Sequence, residues 1–348
     1  VSLDRSSLLR SVREEFLVLG ILAAVALLSA GFIVAVFPTL YSLFWSSTCH
    51  SFEVGLGAFS TTWVGQQLST WLGLSFDPWL VCSGFLQRGF TAGILIAITA
   101  PVVGAYLVNR QMALIGEALA HTAFGGVAIG LFVGAAVPSL NYPLGFALVV
   151  AAIAALGMQY VAVKTDGYAD VPIAIMLTGG FAVGVAIISY GVTFSATVES
   201  YLFGDILFVP FENVQLMVAL TLIVAATIAL THKQLLFITF DREAARLARI
   251  NVWFYDTLLI VLTALVVVAA MQILGAILVA GMLVIPVAAA MVLTSSFTRG
   301  LVLSVLFGQL AIVGGILSSA HWNVATGAMI IIAAICLYLG ALAVTSLR

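Results

Sequence analysis

The sequence predicts an all-α polytopic membrane protein with about ten transmembrane helices, and three observations carry that prediction. Of the 348 residues, 63% are hydrophobic and 7% charged, against roughly 25% charged in an ordinary soluble domain; mean hydropathy is +1.24. Apolar runs of about 20 residues, the length that crosses a hydrocarbon core as a helix, recur along the chain. Threading these runs alternately from an inside N-terminus puts Arg5, Arg10, Arg13, Arg110, Lys164, Lys233, Arg242, Arg246, Arg249, Arg299 and Arg348 on one side and only Arg88 on the other. Cytoplasmic loops collect Lys and Arg, so both termini are expected in the cytoplasm and the chain in the cell (plasma) membrane.

The runs lie near 16–36, 89–108, 113–135, 143–163, 171–193, 212–231, 254–273, 275–297, 300–319 and 323–345. Arg5, Arg10 and Arg13 precede the first run, which is long and lacks an A-x-A-like cleavage site after it, so it reads as a retained anchor helix rather than a signal peptide. The chain begins at Val1 rather than Met, as N-terminal processing or a shifted numbering would give. The segment 37–87 is rich in Ser, Thr, Gly and Trp and falls outside, as a cap on the core. Within it Cys49 and Cys82 are either a disulfide, permitted by an oxidising compartment, or two unpaired thiols; Cys49, His50 and Glu53 are only a weak metal-ligand signal. The division expected is 1–87, anchor helix and external segment, and 88–348, the membrane-spanning core.

The third run contains GEALAHTAFGGVAIG, residues 116–130. Glu117 and His121 stand one turn apart among small apolar residues, and ionisable groups at membrane depth face a cavity or a partner rather than lipid. Two readings stay open: a pair lining a path, or a pair bonded to each other or to neighbouring helices. Gly126, Gly130 and Gly134 repeat every four residues, a pattern that lets helices pack closely in a membrane; Gly275, Ala276, Ala280 and Gly281 read the same way.

Between the runs ending near 193 and starting near 212, SATVESYLFGDILFVPFE is too short and polar to span. It is expected as a short helix or re-entrant turn at the outer face, where Glu199 and Asp205 either cap and solvate it or line an external mouth. After the next run, HKQLLFITFDREAARLARINV (232–252) carries Lys233, Arg242, Arg246 and Arg249 with Asp241 and Glu243, and reads as a cytoplasmic loop. Asp241 is placed to cap a short surface helix. That helix is either a connector or a surface for an ATPase. Pro286, inside an apolar run, removes a backbone hydrogen bond and predicts a kink.

A net charge of -2 without a basic run gives nucleic acid no footprint. H-E-x-x-H is absent and Gly204-Asp205 falls outside the bilayer centre, which argues against an intramembrane protease. No G-x-x-x-x-G-K-[ST] occurs, so ATP binding would need another polypeptide.

In order along the chain, GEALAHTAFGGVAIG, ESYLFGDIL, FDREAARLARINV and LGAILVAGMLVIPVAAAM resemble the permease subunit of the ABC importers for zinc, manganese or iron ions, over about 87–345. The resemblance implies a core of the vitamin B12-type importer architecture, a second permease copy as homodimer partner, a separate ATPase subunit and an external metal-binding protein. The chain itself would be no enzyme and would hold no permanent cofactor, its metal being a transported divalent ion. Glu117 and His121 are then the expected path ligands, Glu199 and Asp205 the external mouth, and Asp241, Glu243, Ala245 and Arg249 the ATPase-coupling region. The family pattern has Asp where this chain has Glu117, Gly near Arg249 and Pro near Ala325 in SAHWNVATGAM. A proton-coupled secondary transporter is the competing reading, since Glu and His also relay protons.

Overall fold

The computed structural model describes residues 41–42, 84–164, 170–190, 201–202, 204, 206, 209–322 and 324–346. The predicted first span, the segment with Cys49, His50, Glu53 and Cys82, and the carboxylates Glu199 and Asp205 lie outside the described residues.

Among the described residues the chain is all helical. It runs α1 Gly84–Asn109, α2 Leu114–Ala136, a 3-10 turn Pro138–Leu140, α3 Pro143–Lys164, α4 Asp170–Tyr190, α5 Phe211–Phe240, α6 Arg242–Leu247, α7 Val252–Leu274, α8 Ala276–Leu293, α9 Phe297–Trp322 and α10 Thr326–Ser346. All but α6 are long and apolar enough to cross a membrane, which makes nine candidate spans here. These nine match the sequence-predicted runs in order. The sides of α1, α2 and α7 are mostly buried, whereas α4 and α10 are mostly exposed.

Two boundaries differ from expectation for a physical reason. The run 212–231 was expected to end before His232, but α5 continues through Phe240, 30 residues in all and about 45 Å long at 1.5 Å per residue. Nothing in HKQLLFITF breaks a helix, and Leu235 and Ile238 stay buried on the core side, so packing carries the helix beyond the hydrocarbon layer. The surface helix therefore shrinks to the six residues of α6. At the other end, α7 and α8 are joined by Gly275 alone, at φ 85°, ψ 154°, a conformation open to glycine and strained for other residues. Gly275 is thus a turn rather than a packing glycine, and a Cβ on Gly281 would meet only ordinary contacts. Gly204, at φ 74°, lays its backbone against this Leu274–Gly275 junction, which ties the irregular segment before α5 to the α7–α8 turn.

The glycine stripe of α2 behaves as its spacing predicts. A Cβ on Gly126 would lie 2.6 Å from the Ala147 Cα, and one on Gly130 would lie 2.7 Å from the Pro143 Cα, so α3 packs directly on the backbone of α2. On another side, a Cβ on Gly125 would lie 2.7 Å from the Gly180 carbonyl oxygen, and one on Gly180 would lie 2.7 Å from the Thr122 Cα. The α2 and α4 backbones therefore touch through facing glycines, with no side chain between them. Helix α2 also packs on α7 and α8. It is the hub of its half of the bundle, held on its backbone from several sides.

Candidate functional site

Residues 115–128 of α2 are buried at every position except Glu117 and His121. Both ionisable side chains are half-buried, stacked one turn apart on the strip of this stretch that the other described helices leave open. Side chains at i and i+4 share a helix face; here that face is the open one because glycine-lined contacts occupy the rest.

Phe181, from α4, holds the His121 ring: the centroids are 5.1 Å apart with the planes at 88°, and Phe181 also stacks on Phe124 at 5.7 Å. The position of Phe181 follows from the residue before it, since Gly180 is where α4 touches α2. The imidazole is thus oriented by packing alone. Its Nδ1 is buried and has no hydrogen-bond partner, and among the described residues Glu117 makes no ion pair. Among the described residues, no hydrogen bond or ion pair joins the two side chains or ties Nδ1 to a neighbouring helix. No group of three or more His, Cys, Asp or Glu side chains converges among the described residues, so one chain presents two donors, a carboxylate and an imidazole, side by side.

The second charged region lies at the end of the bundle where α1, α5, α6 and α7 meet. Asp241 caps α6, its Oδ1 accepting from the Ala244 amide at 2.8 Å, as the sequence predicts. Glu243 pairs with Arg246 at 2.8 Å on the exposed face, a solvated pair that contributes little. Ala245 is fully buried; of the expected coupling residues it faces this chain's own core, while neighbouring Leu247 is 86% exposed. Arg249 has φ 61°. Helix α6 ends in a Schellman turn, with Ile250 N–H donating to the Ala245 carbonyl and Arg249 N–H to the Arg246 carbonyl, both at 3.1 Å. That turn needs a left-handed residue at the Arg249 position, which explains why a glycine is the usual choice there.

A feature not singled out from the sequence sits behind α6. Arg110, the residue just after α1, donates from Nη1 to Asp256 Oδ1 at 2.7 Å, from Nε to Thr239 Oγ1 at 2.9 Å and from Nη2 to the Leu235 carbonyl at 3.1 Å. The other oxygen of Asp256 takes the Arg242 guanidinium of α6. Burial pushes the Arg110 guanidinium below its ordinary value, with Asp256 acting in the opposite direction; it nonetheless stays charged. The available signal was Asp256 itself, a carboxylate inside the apolar run VWFYDTLLIV, where an ionisable residue implies a partner. At the opposite end of the bundle, the place where the family pattern has proline near Ala325 is closed differently: the Ser319 hydroxyl donates to the Val324 carbonyl at 2.6 Å and meets Thr326 Oγ1 at 2.7 Å, fixing the start of α10.

The model of the ABC 3 transport family matches residues 83–345, which takes in every helix from α1 to α9 and all of α10 but Ser346. The chain belongs to the ABC 3 transport family. It is a multi-pass membrane transport subunit rather than an enzyme, as its relatives' names agree. It is 33% identical over 250 residues to the manganese transport system membrane protein MntC of Listeria monocytogenes, covering 72% of this chain and 87% of that protein. It is 34% identical over 259 residues to MntC of Halalkalibacterium halodurans, covering 74% and 87%. It is 31% identical over 255 residues to the manganese import system permease protein ScaB of Streptococcus gordonii, covering 73% and 89%. Among solved structures, PsaBC from Streptococcus pneumoniae in complex with Fab superposes with a TM-score of 0.65 at 32% identity, covering 74% of this chain and 91% of that one. The resemblance read from the four sequence motifs and the membership agree. The portion before residue 83 lies outside the matched family region.

Proposed function

We propose that this permease forms half of the path of an ATP-driven importer that carries a divalent transition-metal ion, manganese first among zinc, manganese and iron, into the cytoplasm across the plasma membrane. The observation that carries the reading is the Glu117–His121 strip, two metal-competent donors left open by the described helices on the otherwise buried stretch 115–128. Carboxylate and imidazole without thiolate suit manganese, zinc and iron alike; the manganese-named relatives favour manganese. Two donors per chain hold an ion weakly, and manganese stands at the weak end of the divalent series, so the strip suits passage rather than storage.

A second permease copy facing the open strip would double the donors to two carboxylates and two imidazoles around one ion, with water completing the shell. The mostly exposed α4 next to the strip supports a surface for that copy. The absence of a phosphate-binding loop in the sequence calls for a separate ATPase subunit, which would meet the α6 end of the bundle at Asp241, Glu243 and Arg249. An external metal-binding protein would deliver the ion at the opposite face, where Glu199 and Asp205 are the candidate mouth. The clustering of Arg110, Arg242, Arg246 and Arg249 around α6 supports a cytoplasmic assignment for that end and for both termini.

The test is manganese uptake by cells carrying the transporter with Glu117→Gln or His121→Asn. Expected is a loss of uptake of tenfold or more with normal amounts of assembled protein. Unchanged uptake would make the strip a packing feature. Uptake that persists without the ATPase subunit and collapses with the proton gradient would instead favour a secondary transporter.

A further inference from the structure

The buried carboxylate of Asp256 is shared by two arginines whose surroundings are unequal. The Arg110 side chain is 6% exposed and spends its guanidinium on three acceptors in α5 and α7. The Arg242 side chain is 51% exposed and reaches Asp256 from the first residue of α6, the short helix at the bundle end. Such a pair has one fixed arm and one releasable arm. Arg110 cannot leave without stranding a buried charge, whereas Arg242 can swing into water and leave a charge-balanced Arg110–Asp256 pair behind, with the second carboxylate oxygen open to a water.

The clasp is also placed where motion would have to pass. Helix α6 is linked to the core by its own buried Ala245, by its flanking turns and by the Arg242–Asp256 bond. Asp256 stands in the second turn of α7, and α7 packs along α2, which carries Glu117 and His121. A fold that needed only to neutralise Asp256 would be complete with Arg110. The second arginine, on the surface helix, adds no charge balance and does add a connection.

We propose that Arg242 is a positioning residue that couples α6 to the transmembrane core through Asp256, with Arg110 as the fixed anchor, so that movement imposed on α6 is passed to α7 and α2. This rests on the ATP-driven reading above. Arg242 on Asp256 and Arg242 in water are the two discrete arrangements that a coupling element requires.

The experiment uses the full complex with its ATPase subunit in liposomes and measures ATP hydrolysis and manganese uptake side by side, with subunit assembly checked by co-purification. For Arg242→Gln the expected result is an assembled complex that hydrolyses ATP within about twofold of wild type and moves at least tenfold less manganese per ATP. Arg242→Lys, which keeps the charge, is expected to restore most of the ratio. An unchanged ratio in Arg242→Gln overturns the proposal. So does loss of assembly, which would make Arg242 a docking contact, and so does a parallel fall of hydrolysis and uptake that lysine does not rescue. Wild-type complex without ATP-dependent manganese uptake would overturn the importer reading and the clasp with it, whereas intact wild-type uptake with an unaffected variant overturns the clasp alone.

Discussion

Neighbouring glycines on α4 make a paired test of how the site is held. A Cβ on Gly180 would stand 2.6 Å from the Thr122 Cγ2, 2.7 Å from its Cα and 2.9 Å from its amide nitrogen, while one on Gly179 would meet nothing within 4 Å. Ordinary carbon contacts sit at about 3.5–4.0 Å, so Gly180→Ala forces α4 back from α2 by about 1 Å, against backbone that cannot rotate away. Overpacking of this kind costs about 1–3 kcal/mol. Gly179→Ala, in open space on the same helix, removes a flexible residue and gains about 0.5–1 kcal/mol. The two alanine variants should therefore differ by about 1.5–4 kcal/mol, which corresponds to a Tm gap of roughly 4–10 °C. Thermal unfolding of the two variants in detergent reads this directly. Because Phe181 follows Gly180 and packs on His121, manganese uptake should fall in Gly180→Ala and hold in Gly179→Ala. Equal Tm values, or a more damaged Gly179→Ala, would refute the account of α2 and α4 as helices in backbone contact through Gly180.

Three further outcomes concern the α6 end of the bundle and the orientation proposed for it. Arg110→Ala leaves Asp256 to the half-exposed Arg242 alone and should destabilise by about 3 kcal/mol, at the low end for breaking a buried pair because one partner remains; Arg110→Lys should fall between, since an ammonium cannot fork to Asp256, Thr239 and Leu235 together, and a Tm within 2 °C of wild type for Arg110→Ala, in an assay that resolves about that much, would contradict it. Arg249→Gly should be tolerated and gain about 1 kcal/mol by relieving a left-handed arginine, read as a raised Tm; a fall would mean that the side chain matters more than the turn. A cysteine at Leu247 should be labelled only from the cytoplasmic side and one at Arg88 only from outside, and reversal of either overturns the orientation.

Much of the architecture was legible because membrane spans announce themselves by length and hydropathy, and Gly126 and Gly130 announced a close neighbour by their spacing. The N-cap at Asp241 was readable for a similar reason, as it depends on residues three apart. What local pattern does not carry is where an apolar helix stops when nothing breaks it: α5 runs on through His232 to Phe240 because Leu235 and Ile238 find a core. Gly275 has the same look as a packing glycine in sequence, yet its role is a left-handed turn between two spans. Ala245 was readable as part of an amphipathic surface helix, but which side of so short a helix meets the core is decided by its neighbours.

By itself the sequence determined the medium, the order of the spans and the presence of Glu117 and His121 on one helix face, because hydropathy and the 3.6-residue turn are properties of neighbours along the chain. Only the tertiary structure decided that this face is the open one, since that depends on α3, α4, α7 and α8 covering the others. It also decided that Asp256 is shared by Arg110 and Arg242. Those partners stand 146 and 14 residues away, and no local rule relates them; a buried carboxylate requires a counter-charge, and the packing of α1, α5, α6 and α7 selects which arginines supply it.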